Sequence, residues 1–128
     1  MKQILVDTDV LIDYAHGLNA HLGKLLEAES RGAVQLWISP VNVAEFCTDK
    51  KLTSAKMKAK AEEFLLLFSI KETTKAMGIL AGELLRKGKT VYLGDALIAA
   101  TSLAGNIPLY TRNIRHFEKI SGLEFFKN

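Results

Sequence analysis

The chain has 128 residues, 48% of them hydrophobic and 24% charged, the ordinary make-up of one globular unit with one core and no room for a second. Its net charge of +3 and pI of about 9.0 tolerate a polyanionic partner without demanding one. Apolar stretches such as Phe64 to Phe68 and Ala96 to Ala100 fall far short of the roughly 20 residues that a membrane-spanning helix needs, which excludes a helical membrane anchor.

The opening Ile4-Leu5-Val6 run meets Asp7 at once, unlike the apolar core of a secretory signal, and Cys47 is the only cysteine. Both features point to a cytoplasmic protein without disulfides, and Cys47 is expected to be a small buried packing residue. Ile4 to Val6 reads as a buried strand, after which Asp7-Thr8-Asp9 supplies a turn and a cap for a helix through Val10-Leu11-Ile12. A second helical pattern runs through Leu18, Leu22, Leu25 and Leu26 to Gly32, and Val34 to Ile38 suits a second buried strand.

Ser39-Pro40 is a helix start, with serine as cap and proline at the first helical position, so a helix is expected from Val41 to about Asp49, with Glu45 in its second turn. Ser54 to Leu67 reads as a lysine-bearing helix, Phe68 to Ile70 as a short strand, and Thr73 as the cap of a helix carrying Met77, Leu80, Ala81, Leu84 and Leu85 to Gly88. Gly94-Asp95 then opens a helix, Ala96 to Ala104, so apolar on every side that it belongs in the middle of the fold, with Gly105 at its end. Ile107 to Tyr110 is expected to be a strand leading into Thr111-Arg112-Asn113, followed by a short helix over Ile114 to Lys119 and an edge segment over Leu123 to Phe126.

Strands alternating with helices imply an α/β unit spanning residues 1–128, a central mostly parallel sheet between two helical layers, because parallel neighbours need helical crossovers. Ligand crevices in such sheets lie beyond the carboxyl ends of the strands. Asp7 and Thr111 follow predicted strands, and Glu45 and Asp95 lie near helix beginnings, so all four face that one edge. Each acid alone has an ordinary explanation, as a cap or a solvated side chain. Together, Asp7, Glu45 and Asp95 form the set that phosphodiester hydrolysis requires: oxygen ligands from separate elements, able to hold a divalent cation that activates water. His16, His21 and His116 lack the spacing of a metal set and read as surface or packing residues, while Trp37 and the phenylalanines read as core.

Four stretches, Val6 to Asp13, Ser39 to Phe46, Gly94 to Thr101 and Tyr110 to Phe117, resemble the ordered motifs of PIN domains over essentially the whole chain, and most nearly those of the VapC-type toxins of toxin-antitoxin pairs. The resemblance implies a PIN-like three-layer α/β/α fold and Mg²⁺-dependent endonucleolytic cleavage of RNA, with Mn²⁺ as a possible substitute. It assigns Asp7, Glu45 and Asp95 to the metal and Thr111 to supporting the site. The last motif departs from the family by carrying Asn113 and, three residues on, His116 where a further carboxylate is common; Asn113 can orient a water or a carboxylate but bears no charge, which favours one tightly held ion. Arg112 and Arg115 are the first candidates for RNA contact, ahead of Lys50, Lys51, Lys56 and Lys60. A homodimer and a cognate antitoxin that blocks the acidic cleft are implied as partners, and no membrane.

Two alternatives stand beside this reading. A PIN-like module that binds RNA or protein without cutting is compatible with the missing fourth acid. A haloacid-dehalogenase-like phosphatase would use Asp7 of Asp7-Thr8-Asp9-Val10 as nucleophile, but its usual Gly-Asp-x-x-x-Asp element fails here, where Ala99 fills the last position.

Overall fold

A computed structural model describes residues 1–127; Asn128, the last residue of the expected unit, lies outside the described residues. Four strands, β1 (Lys2–Val6), β2 (Val34–Ile38), β3 (Ser69–Ile70) and β4 (Leu109–Tyr110), form a sheet of order β3-β2-β1-β4 in which every pairing is parallel. The expected edge segment extends it, because Leu109 donates its N–H to Glu124 and accepts from Phe126 N, both at 2.9 Å.

Period-two alternation divides the strands between two cores. Ile4 and Val6 of β1 and Val34, Leu36 and Ile38 of β2 face α1 (Thr8–Ala15), α2 (Ala20–Ser30) and the end of α4 (Ala55–Leu65), whereas Leu5 and Trp37 point to the opposite layer. Between β2 and α4 lies the short α3 (Pro40–Phe46), with Val43 in the first core and Val41 in the second. The second layer holds α5 (Lys75–Arg86) and α6 (Leu93–Gly105), and α6 is covered on two sides: Ile98 and Ala99 pack towards Leu5 and Leu109, Ala96 and Ala100 against Met77 and Ala81. The alanines leave room for α5 to lie close, so this is the middle helix that its all-round apolarity predicted.

Element ends depart from expectation in ways that matter for the site. Helix α3 stops at Phe46 rather than near Asp49, which leaves Cys47 as an exposed C-cap and corrects its assignment to the core. Phe46 turns inward instead and packs against Phe64. Helix α4 stops at Leu65 rather than Leu67, and Thr74 rather than Thr73 caps α5 by accepting from Met77 N. Helix α6 begins two residues before Asp95, so Asp95 lies within its first turn rather than capping it. The short helix after Asn113 contracts to a 3₁₀ turn over Ile114–His116, because Phe117 dives into the second core.

Candidate active site

Parallel register assembles the centre of the site. Val6 pairs with Tyr110, so the next residue of each strand, Asp7 and Thr111, emerges side by side at the carboxyl edge, and Asp7 N donates to Tyr110 O at 2.9 Å. Asp7 is only 5% exposed. Its Oδ1 accepts from Thr8 N at 2.8 Å, the capping bond that starts α1, and its Oδ2 accepts from Thr111 Oγ1 at 2.7 Å. Thr111 Oγ1 in turn accepts from Asn113 N at 3.0 Å. A threonine hydroxyl has one proton, and the shorter bond claims it for Asp7.

Asp9, in the first turn of α1, faces the same cleft. Its Oδ2 lies 3.3 Å from Thr111 Oγ1 and accepts from Arg112 N at 3.2 Å. Asp9, a possible helix cap by sequence, does not cap α1, since Asp7 takes that role. The available signal was its spacing from Asp7, since a strand end followed by the first helical turn directs both carboxylates past the sheet edge.

Glu45 is held from two sides. Its Oε1 accepts from Thr8 Oγ1 at 2.6 Å, and that hydroxyl accepts from the buried Asn42 Nδ2 at 3.0 Å, so the capping box that starts α3 also aims Glu45. On the other side Glu45 fills the space a side chain would take at Gly94: a Cβ built there would meet Oε2 at 2.5 Å. Asp95 follows Gly94, and its Oδ2 lies 3.0 Å from His116 Nδ1. This moves His116 from its expected surface or packing role into the cleft, with its ring 5.4 Å from that of Tyr92. His21 does pack as expected, between Tyr110 and Phe126.

Asp7, Asp9, Glu45, Asp95, Asn113 and His116 thus line one cleft of about 530 Å³. Burial, and after it the Asp9 carboxylate, push Asp7 up to about 7. Asp9 and Asp95 are also raised by burial, in Asp95 against the opposing pull of His116. Such a cleft is short of positive charge. The donor set is all oxygen apart from one imidazole, the chemistry that suits Mg²⁺ or Mn²⁺. Among the described residues, however, no three acidic, histidine or cysteine side chains converge to the spacing of a ready-made cation cage. Mg²⁺ keeps several of its waters, so carboxylates spaced around a cleft are compatible with its coordination.

The basic residues are distributed differently from expectation. Arg112 Nη1 contacts both oxygens of Asp13, at 2.7 and 2.8 Å, and lines a separate hollow behind α1. Arg115 has no ion-pair partner among the described residues and sits with Lys89 and Lys119 around a hollow that adjoins the cleft. Lys51 borders a further hollow beside Glu45, while Lys56 and Lys60 lie exposed on α4 and take no part in the cleft wall.

A wholly parallel sheet between two helical layers, with four carboxylates gathered at its carboxyl edge, defines an acid-lined α/β domain of the nuclease type. The chain belongs to the PIN domain family, whose profile matches residues 4–123. It is 31% identical over 125 residues to Ribonuclease VapC10 of Mycobacterium tuberculosis, covering 94% of this chain and 90% of that one. Ribonuclease VapC1 of Methanocaldococcus jannaschii is 30% identical over 131 residues, covering 98% and 88%. The fold is also that of the DNA-bound VapBC complex from Salmonella typhimurium, at a TM-score of 0.81, 23% identity and 98% coverage of both chains. A toxin-antitoxin complex from Klebsiella pneumoniae matches at a TM-score of 0.73 and 26% identity, over 94% of each chain. Family membership leaves the dehalogenase-like alternative without support.

Proposed function

We propose that this chain is a metal-dependent endoribonuclease and the toxin of a type II toxin-antitoxin pair. The observation that carries this reading is the gathering of Asp9, Glu45 and Asp95 around the same cleft as the buried Asp7. Relatives named as ribonucleases and structural neighbours solved as toxin-antitoxin complexes support it.

Asp7 and Asp95 would hold the cation, and Asp9 would supply the further carboxylate that the last motif lacks. Bound there, Mg²⁺ or Mn²⁺ supplies a water of lowered pKa and neutralises charge developing on the phosphate. Glu45, steadied by Thr8, binds the ion or orients the attacking water. Thr111 keeps the Asp7 carboxylate aimed, and Asn113 orients a water or a neighbouring carboxylate by hydrogen bonding.

The antitoxin covers the acidic cleft and continues into the adjoining hollow walled by Ile12, Ala15, Phe46 and Thr48, which shares Glu45 with it. Exposed Leu66, Leu67 and Ile79 are candidates for a homodimer contact, which mass in solution would test. No helix is long and apolar enough to cross a membrane, and the cytoplasm, where RNA substrate is available, is the proposed location.

The test is cleavage of total RNA with Mg²⁺ by the purified chain and by its Asp7→Asn variant. Cleavage lost in the variant is expected; equal cleavage by both defeats the catalytic reading. A second reading, a binder that does not cut, draws on the lack of three convergent ligands among the described residues. It predicts no cleavage by either protein and no manganese uptake by calorimetry.

A further inference from the structure

The sign of the surface reverses across one pair of rings. On one side of Tyr92 and His116 lies the acidic cleft; on the other, sharing both residues, lies a hollow of about 150 Å³ bordered by Lys89, Arg115 and Lys119 with no carboxylate in its wall. Tyr92 stands between them 57% exposed, its ring tilted 40° to that of His116. An exposed tyrosine ring at the mouth of a phosphate-cleaving cleft has an open face for a nucleobase, whose stacking on aromatic side chains is tolerant of sequence. Thr90 adds a second, independent mark. It lies in the wall of the same hollow, 6% exposed, and its hydroxyl is buried without a hydrogen-bond partner. A buried hydroxyl left unpaired is costly, and a small rotation of Thr90 towards the hollow would let it donate to a phosphate oxygen bound there.

Building on the ribonuclease reading, we infer that Tyr92, Lys89, Arg115 and Lys119 form the seat of the nucleotide next to the scissile phosphate in single-stranded RNA. The base stacks on Tyr92, and its phosphate enters the basic hollow. The neighbouring phosphate then falls on the acidic side, where a divalent cation held by the carboxylates would offset its charge. A duplex does not fit this arrangement, because its bases are already stacked on one another.

Binding is read separately from cleavage, by fluorescence anisotropy of a labelled short single-stranded oligoribonucleotide on the uncutting Asp7→Asn protein. Adding Tyr92→Ala weakens affinity about tenfold, whereas Tyr92→Phe, which keeps the ring, binds as the parent does. Adding Arg115→Ala lowers the slope of log affinity against log salt by about 0.7, the loss of one single-strand phosphate contact. Unchanged affinity in the Tyr92→Ala protein overturns the inference, as does equal weakening by Tyr92→Phe. Weakened antitoxin binding or self-association with RNA affinity intact also overturns it, and marks a protein interface instead. The wild-type chain is assayed on RNA in parallel: cutting without any Tyr92 effect removes the subsite and spares the ribonuclease reading, whereas neither cutting nor binding removes both.

Discussion

Thr111 and Asp7, 104 residues apart in the chain, share a 2.7 Å hydrogen bond because β4 runs beside β1 with Tyr110 in register with Val6. The bond fixes one oxygen of the most buried carboxylate in the cleft, and Thr8 N fixes the other.

Thr111→Val removes the hydroxyl and keeps the shape. Asp7 Oδ2 and Asn113 N both lose a partner, for a cost of about 1–3 kcal/mol for a buried group left unpaired. Supporting bonds of this kind are typically worth about 10- to 100-fold in activity or metal affinity, so RNA cleavage should fall by that order. Thr111→Ser should restore most of it. Initial rates and urea midpoints of the three proteins decide the matter; a valine variant as active as the parent would remove Thr111 from the site.

Asp7 makes stability depend on pH in a defined direction. Its carboxyl titrates near 7 in the folded chain against an ordinary 3.8, so between those values the folded state keeps a proton that the unfolded state has released. Stability measured in EDTA should therefore fall as pH rises from about 4 to 7 and level off above, by up to about 4 kcal/mol. Asp9 and Asp95, also raised, act in the same sense. Asp7→Asn should flatten most of that slope and melt higher than the parent at pH 8. Manganese should restore the parent's melting temperature at pH 8 and leave the variant unmoved. Melting curves that rise with pH across this window would contradict the burial of an ionisable Asp7.

Gly94→Ala separates stability from activity. Alanine is favoured over glycine inside a helix by about 1 kcal/mol, and Gly94 is the second residue of α6. The added Cβ would meet Glu45 Oε2 at 2.5 Å, so the carboxylate must swing away from its 2.6 Å bond with Thr8. The end of a flexible side chain moves cheaply. Thermal stability should stay within about 1 kcal/mol of the parent while cleavage drops at least about tenfold. A variant that cuts RNA at the parental rate would show that the position of Glu45 is not needed.

Arg112 and Arg115, adjacent to the same motif, should behave unequally. Arg112 is occupied by Asp13 in a pair whose arginine is exposed and whose carboxylate is mostly covered, so its removal should change stability by about 1 kcal/mol. Arg112→Ala should accordingly alter RNA affinity and its salt dependence less than Arg115→Ala does. Anisotropy titrations at two salt concentrations compare them directly, and the reverse order would return Arg112 to the RNA-contacting side.

Much of this was readable before the structure because it rests on local physics. Apolar runs broken by caps and glycines mark β1, β2, α3 and α6, and strand-helix alternation dictates a parallel sheet whose crevice lies past its carboxyl ends. Asp7 and Thr111, just after strands, and Asp95, in the first turn of α6, follow from that rule, whereas Glu45, the sixth of the seven residues of α3, reaches the cleft from near that helix's end. The boundaries were less legible. Whether α3 ran to Asp49 depended on Phe46 finding Phe64, a contact between helices that no local pattern encodes.

The sequence by itself determined the layer architecture, because hydrophobic period and capping chemistry act within a few residues of the chain, and its motifs, through their resemblance to PIN domains, pointed to three of the four acids that line the cleft. Only the tertiary structure decided that Asp9 joins them, that His116 turns to Asp95, that Arg112 spends its charge on Asp13, and that Glu45 occupies the space Gly94 leaves open. Those relationships depend on distances of a few ångströms between side chains from different elements. Such distances are set by strand register and by how closely the helices pack.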